Sequence, residues 1–438
     1  MIVAPVLTRA QIGDGQGEVL GPIASFGARS YLFVAMVFAF GVTGFEVFPG
    51  PTPLALLVGV AGVLVLAPKH VLMRLPVSPL VLTLVAWTAA SVWWTDSPPG
   101  TAFAMMRLLP ILLGVMVVAG VAAIDDVVAA LLWAIRVSVV ATLAVLALVP
   151  ETRIHIDPSG QAPPLDGWHG WFAHKNIMTP YLVFGLLTVL TFDRTVVVRW
   201  STLALIGVLL VGSDSVTGIS SALLAVSIWV WLQLYRHLDL RNSSVFVVSS
   251  VSVAVFALAS LVATLSTLTS ASGRDLTFTG RTFIWQATFD AIVERPVLGY
   301  GLGGVLFDDP VSPRTAEIWR AIGFEVPHAH NGLLDLALQL GVVGCVLFVL
   351  LFGATMLGGV AMIREQPTVG AWIVSVLVVQ LYMSLSEDVF LGNGWLPVLV
   401  LFRVLQLRSS GVDWQPDREL SDRVRARVGR GSSGAGAA

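Results

Sequence analysis

Charge is what this sequence most lacks. Only 12% of its 438 residues are Asp, Glu, Lys or Arg, about half the roughly 25% carried by an ordinary soluble domain. Hydrophobic residues make up 56% of the chain and the mean hydropathy is +0.85. Apolar runs long enough for the ~20 residues of a membrane-spanning helix recur from Tyr31 onward, so a freely soluble globular chain is excluded. Cys345 is the single cysteine. It excludes an intramolecular disulfide and any cysteine-built metal site, and in its apolar run it reads as a small buried side chain. The first thirty residues lack a charged start followed by an apolar core, so no cleaved signal peptide is expected. The net charge of −2 singles out no charged partner, and nucleic acid is not expected as one. There is no repeat of 20–50 residues.

What is present predicts an all-α polytopic membrane protein. About twelve spans are expected, near residues 31–49, 53–67, 79–95, 101–123, 127–149, 177–192, 199–212, 216–234, 244–268, 338–362, 368–386 and 394–407. Lysine and arginine concentrate in cytoplasmic loops, which gives a test of sidedness. With the N-terminus inside, the inner loops hold Arg9, Arg29, Lys69, Arg74, Arg194, Arg199, Arg236, Arg241 and Arg364. The outer turns "PGPTP", "TDSPPG", "GSDS" and "SEDVFLGNG" hold no lysine or arginine. Only the inner turn "AIDD" breaks the pattern. The chain then divides into a cytoplasmic tail over 1–30, a membrane domain over 31–407, and a basic, disordered cytoplasmic tail over 408–438 that would touch anionic head groups. Two long outer loops, 151–176 and 268–330, carry cations that sidedness alone does not explain.

The second of these loops reads "FTGRTFIWQATFDAIVERPVLGYGLGGV" and, further on, "HAHNGLLDLALQLGVVG". Thr279 can cap a helix that Pro296 and Gly299 end, and Trp285, Phe289 and Ile292 would form an apolar stripe suited to the membrane surface. Arg281 falls in the first turn, against the helix dipole; a bound anion would remove that conflict, with Arg274 as a second contact. Interfacial snorkelling is the bland alternative for both arginines. "GYGLGG" follows a helix and not a strand, so it reads as a tight turn and not as a dinucleotide loop. His328 and His330 alternate, but no Asp, Glu or Cys completes a local zinc set. A general base and a pair of interfacial histidines remain open for them.

The first loop contains "WHGWFAHKNIMTPYLVFG", which gathers Trp168, His169, Trp171, His174, Lys175 and Asn176 at the entry to a span. Interfacial tryptophan is expected without function, whereas tryptophan with Lys and Asn also suits a sugar phosphate. Two arginines fall inside spans. Arg107 lies about 9 Å below the outer end of its helix and suits a lipid-linked phosphate; Arg136 lies nearer the middle and could pair with a carbonyl or carboxylate for structure.

These patches resemble the O-antigen ligase and polymerase superfamily of bacterial membrane proteins. "FTGRTFIW…ERPVLGYGLGGV…HAHNGLLDLALQLGVVG" is similar to its signature, and "WFAHKN" and "SDSVTGISSALL" resemble two further patches of its exopolysaccharide-polymerase-like branch. Together they cover about residues 165–345. The resemblance implies a GT-C-like fold of about twelve spans with a large outer loop between spans nine and ten. It also implies a metal- and cofactor-independent glycosyltransferase of the plasma membrane. Such enzymes move a glycan from a polyprenyl-diphosphate carrier to an acceptor hydroxyl on a lipid or another glycan. By that resemblance His330 assists the hydroxyl and Arg281 binds diphosphate. Arg274, Lys175, His174, Arg107, His328 and Asn331 are further candidates for the diphosphate and glycan. The family often has a basic residue where this chain has Val216, between Ser215 and Thr217; either Arg107, Lys175, Arg274 or Arg281 serves instead, or the substrate has changed or activity has been lost. A transporter of an anion or lipid-linked sugar, and a non-catalytic scaffold, are the rival expectations. A transporter should concentrate polar residues near mid-membrane in broken helices, whereas here they concentrate at the outer face.

Overall fold

The computed structural model describes residues 77–121, 124–155, 165–172, 174–237, 279–306, 311–388, 390–391 and 395–411. The predicted spans near 31–49, 53–67 and 244–268, the candidate Arg274, and both terminal tails (residue 412 onward at the C-terminal end) lie outside those residues.

Among the described residues eleven α-helices follow one another: α1 (Pro79–Ala90), α2 (Pro98–Val121), α3 (Ile124–Leu148), α4 (Lys175–Phe192), α5 (Val196–Gly212), α6 (Val216–His237), α7 (Thr279–Glu294), α8 (Pro313–Ile322), α9 (Gly332–Glu365), α10 (Pro367–Met383) and α11 (Trp395–Gly411). The only strands among them are two-residue pieces, β1 (Ile154–His155) and β2 (Leu165–Asp166), paired antiparallel. Among the described residues five helices are long and apolar enough to cross a membrane: Pro98–Val117 of α2, all of α3, α4 and α9, and Val216–Gln233 of α6. The chain is an all-helical, multi-pass membrane protein. Each of the nine predicted spans that falls on described residues corresponds to a helix, but α1, α5 and α10 are shorter apolar helices.

The core is built around α4. Every residue from Met178 to Leu190 is buried, and α3, α5, α6 and α10 pack against this helix. Trp372 of α10 stands edge-on to Phe192 and Phe402, with ring centroids 5.1 and 4.8 Å apart. Its indole N–H donates to Thr188 Oγ1 at 3.2 Å, so the largest buried side chain leaves no donor stranded in an apolar interior. Arg136 forms an ion pair with Asp193 at the end of α4; a cation within an apolar helix is costly unless it is paired in this way.

The segments assigned by charge to the outer side meet at one end of this bundle. Arg295 pairs with Asp96 at 2.8 Å, joining the long loop to the turn before α2. The Trp168 N–H donates to the Gly212 carbonyl at 2.8 Å, and Thr217 Oγ1 lies 3.1 Å from Ser386 Oγ. The long loop itself is folded. α7, α8 and the run around Tyr300 form a second small core with Val305, Ile318, Val326, Ala329 and Leu338. The face of α7 that is buried carries Ile284, Thr288 and Ala291. Phe289 of the expected stripe stays exposed beside Phe283 and Val293. This helix is apolar on more than one side, and packing against α8 and α9 selects a face that periodicity does not. α8 was not expected, although its ends are conventional: Ser312 Oγ accepts the Thr315 N–H at 3.2 Å, Pro313 follows, and Gly323 closes the helix at φ +85°.

"GYGLGG" makes a backbone splice into α9. That helix breaks at Gly341 (φ +63°, ψ −170°). In an unbroken helix, Val342 and Val343 would donate to the carbonyls of Leu338 and Gln339. Here the Tyr300 and Gly301 N–H groups donate to those carbonyls at 2.9 and 2.8 Å, while the Val342 N–H donates to the Pro296 carbonyl at 2.8 Å. The loop thus supplies the hydrogen bonds that the kink removes, and it fixes the first turns of α9 relative to α7.

Candidate functional site

The residues just before α9 are set by three local devices. Asn331 caps the helix: its Oδ1 accepts the N–H groups of Leu333 and Leu334, both at 3.1 Å. Its Nδ2 donates to the Leu385 carbonyl at 3.3 Å, and the Gly332 N–H donates to the Ser384 carbonyl at 2.8 Å, which ties the cap to the turn after α10. Buried Asp335 accepts the Ala329 N–H on Oδ1 at 2.8 Å. Between these anchors His330 is held at φ +50°, a left-handed conformation that a non-glycine residue keeps only when its surroundings impose it, and that clusters at functional sites.

Around His330 lies a charged group assembled from four separate segments. Glu387, in the turn between α10 and α11, has a side chain only 4% exposed. Its Oε1 accepts from Arg281 Nη2 of α7 at 3.2 Å, and its Oε2 accepts from Asn176 Nδ2 of α4 at 3.0 Å. His330 Nδ1 lies 3.5 Å from the same Oε2, within ion-pair reach but longer than a formed hydrogen bond. The His328 ring sits 4.1 Å from that of His330, and His328 Nδ1 accepts the His330 backbone N–H at 3.2 Å. The N-termini of α4, α6, α7 and α9 all reach this turn, through Asn176, Thr217, Arg281 and Asn331 respectively. Helix N-termini present free N–H groups and the positive end of the dipole, so this end of the bundle favours anions.

Burial, and then the Arg281 charge, push the pKa of His330 down to about 3. Burial, and then the charge of His330, do the same to His328. Both rings are therefore neutral near pH 7. His330 still has 21% of its side chain open, enough for a hydroxyl to approach. An unperturbed histidine, with a pKa of about 6.5, would lose its neutral form about 30-fold between pH 8 and pH 5. If catalysis uses neutral His330, kcat/KM is expected to change less than about threefold over that range. A fall of an order of magnitude centred near pH 6.5 would contradict a lowered pKa in the free protein. The sign for stability is the same: with the folded pKa below the unfolded one, stability falls as pH drops from about 6.5 toward about 3.

The other predicted site residues lie close by or apart. His174 caps α4, its Nδ1 accepting the Asn176 N–H at 3.0 Å, so it sets the residue that grips Glu387. Lys175 reaches the Asp214 carbonyl at 3.5 Å, two residues from Val216, so a cation stands beside the patch whose expected basic residue is missing. Arg107 lies on α2 with its guanidinium 5.8 Å over the Phe103 ring. The residues that sequence reasoning missed are Glu387 and Asn176's role toward it. The signal for Glu387 was two adjacent acids in a turn that otherwise reads as a short connector.

Glu387 also changes the metal question. No acid near the histidines in sequence completes a ligand set with them, but the ligand atoms of His328, His330 and Glu387 lie within 4.8 Å of one another. The ground for excluding a metal from spacing alone therefore fails, because the third candidate comes from another loop. The Arg281 guanidinium on the same carboxylate argues against a cation there, since it would face an existing positive charge at short range.

Residues 201–349 match the family profile described as O-antigen ligase. Over those residues the chain is similar to the O-antigen ligase domain. A Rickettsia conorii protein named, provisionally, a polysaccharide ligase is 35% identical over 75 residues, which cover 16% of this chain and 18% of that protein. The O-antigen ligase match takes in α6, Arg281, His328, His330 and Asn331 and stops inside α9. Asn176 and Glu387 lie outside it and join the site only through the fold.

Proposed function

We propose that this protein is a membrane glycosyltransferase of the polysaccharide ligase or polymerase type. It moves a glycan from a polyprenyl-diphosphate carrier to an acceptor hydroxyl on a lipid or another glycan, at the outer face of the bacterial plasma membrane. The observation that carries the reading is a histidine in an imposed backbone conformation, beside a buried Arg–Glu pair, where four helix N-termini converge. The acceptor oxygen attacks the anomeric carbon, the bond from that carbon to the phosphate oxygen breaks, and the electron pair leaves on the diphosphate. Arg281 and the helix N-termini stabilise the charge that grows there, with Lys175, Arg107 and Arg274 as further cations for the carrier. His330 takes the hydroxyl proton. The apolar bundle accommodates the isoprenoid tail, and both chain termini lie in the cytoplasm. Arg281 already supplies a positive charge to Glu387, which supports a transfer that proceeds without a metal.

A strain lacking the gene is expected to accumulate the carrier-linked glycan, and the wild-type gene to clear it. Membranes from the complemented strain should consume that intermediate equally well with and without EDTA. Absence of any build-up would overturn the transferase reading, and loss of activity in EDTA would overturn metal independence. Product chain length separates a polymerase from a ligase.

A further inference from the structure

We infer that Glu387 is the positioning carboxylate of His330, shared in the resting protein with Arg281 and released to the histidine when the donor diphosphate engages the guanidinium. This rests on the glycosyl-transfer reading.

The geometry divides one carboxylate between two partners. Oε1 is held by Arg281 at 3.2 Å, while Oε2 faces both Asn176 at 3.0 Å and His330 Nδ1 at 3.5 Å. His330 Nδ1 is buried and forms no hydrogen bond, so the one polar atom of the ring that points at the carboxylate waits just outside bonding distance. A ring nitrogen facing a carboxylate oxygen carries the proton, which assigns the Nδ1–H tautomer and leaves the Nε2 lone pair for an incoming hydroxyl. His328 cannot take over this role, because its Nδ1 already accepts the His330 backbone N–H. Asn176 is neutral and steers the carboxylate without competing for its charge.

Charge counting makes the sharing consequential. Arg281 and Glu387 sum to zero, so protonating His330 in the resting site adds an uncompensated positive charge in a buried place. A diphosphate on Arg281 changes the balance, because Glu387 is then free to neutralise an imidazolium. In the transfer step the hydroxyl proton moves to His330 Nε2 and the oxygen bonds to the anomeric carbon. The carbon–phosphate-oxygen bond breaks, and its electron pair stays on the diphosphate. Glu387 offsets the new imidazolium, and Arg281 offsets the charge added to the leaving group. The base is thus competent only when the donor is bound. The titratable and charged groups around His330 are its neighbour His328, Arg281 on α7 and Glu387 in the turn after α10. Asp335 of α9 anchors the loop behind it, and Asp388 lies beyond Glu387.

The test uses full-length protein in membranes from the deletion strain, with the accumulated carrier-linked glycan as substrate and inorganic pyrophosphate as competitor. Glu387→Gln keeps the shape of the side chain and removes its charge. It is expected to lower kcat on the order of 100-fold while inhibition by pyrophosphate stays as strong or becomes stronger, since Arg281 loses an internal competitor. In a His330→Ala background the same change should cost less than about threefold, because a residue acting through another adds little once that other is gone. Glu387→Gln within about threefold of wild type overturns the inference. So does an equal loss in both backgrounds, which is what a structural role or misfolding would give, and so does weakened pyrophosphate inhibition. Those results leave the transferase reading standing if wild type still consumes the glycan. Failure of wild type itself to consume it is the separate result that overturns transfer.

Discussion

Arg281→Ala is expected to slow consumption of carrier-linked glycan by about a thousandfold. Removing a single preorganised donor from a developing anion costs roughly 10²–10³ in rate, and here the loss has a second part. Among the described residues Arg281 is the only cation on Glu387, whose side chain is 4% exposed, and breaking a buried pair from one side strands the other charge at about 3–5 kcal/mol. Arg281→Lys should recover part of the rate and remain about tenfold or more below wild type, because an ammonium supplies the charge without the planar fork that grips a phosphate. His330→Ala is expected to fall by a similar factor, 10²–10⁴ for a general base, but without the stranded carboxylate. Arg281→Ala combined with Glu387→Gln separates the two contributions: membrane abundance should return while turnover does not. Turnover of Arg281→Ala within tenfold of wild type would transfer the diphosphate to Lys175, which reaches the Asp214 carbonyl just before α6.

How much of this was readable in advance depends on the distance over which the signal acts. The helices were legible because apolar runs and the residues at their ends act locally. α4 begins at Lys175, directly after a capping histidine, and α7 occupies Thr279–Glu294 with Pro296 just beyond. The histidine pair and Arg281 were legible as candidates, since polar side chains are expensive in such a chain and stand out. Glu387 was not. It lies 57 positions beyond His330 (387 − 330) in a turn whose lack of lysine and arginine was used only to assign a side. Its partners are contributed by α4, α7 and the loop before α9, and no single-sequence periodicity carries that meeting. α8 was missed for a different reason. Ser312, Pro313 and Gly323 are ordinary helix punctuation, yet the stretch between them is too short and polar to register beside membrane spans.

The break in α9 shows the same contrast and gives the second large effect. Gly341→Ala is expected to destabilise the protein by about 4 kcal/mol or more and to deplete it from the membrane. A Cβ at Gly341 would lie 2.2 Å from the Val297 carbonyl oxygen and 2.4 Å from its carbon, and both atoms belong to the backbone and cannot swing aside. The conformation itself, φ +63° and ψ −170°, is one that essentially only glycine adopts, at a cost to other residues of about 1–3 kcal/mol. Moving the loop away to relieve the clash would break the bonds from Tyr300, Gly301 and Val342 across the splice, each contributing roughly 0.5–1.5 kcal/mol. The loop cannot be relieved at Gly299 either, since a Cβ there would meet the Gln339 carbonyl at 2.7 Å. Gly353→Ala, in the same helix but with nothing within 4 Å of its new Cβ, is the control and should be neutral or slightly stabilising. Thermal unfolding of both variants in detergent, with membrane abundance alongside, checks the pair. If Gly341→Ala matched Gly353→Ala, α9 would have to run straight through the kink, with Leu338 and Gln339 bonded within the helix. The loop that carries Arg281 would then lose the splice that holds it against the first turns of α9, and with it the fixed placement of Arg281 beside His330.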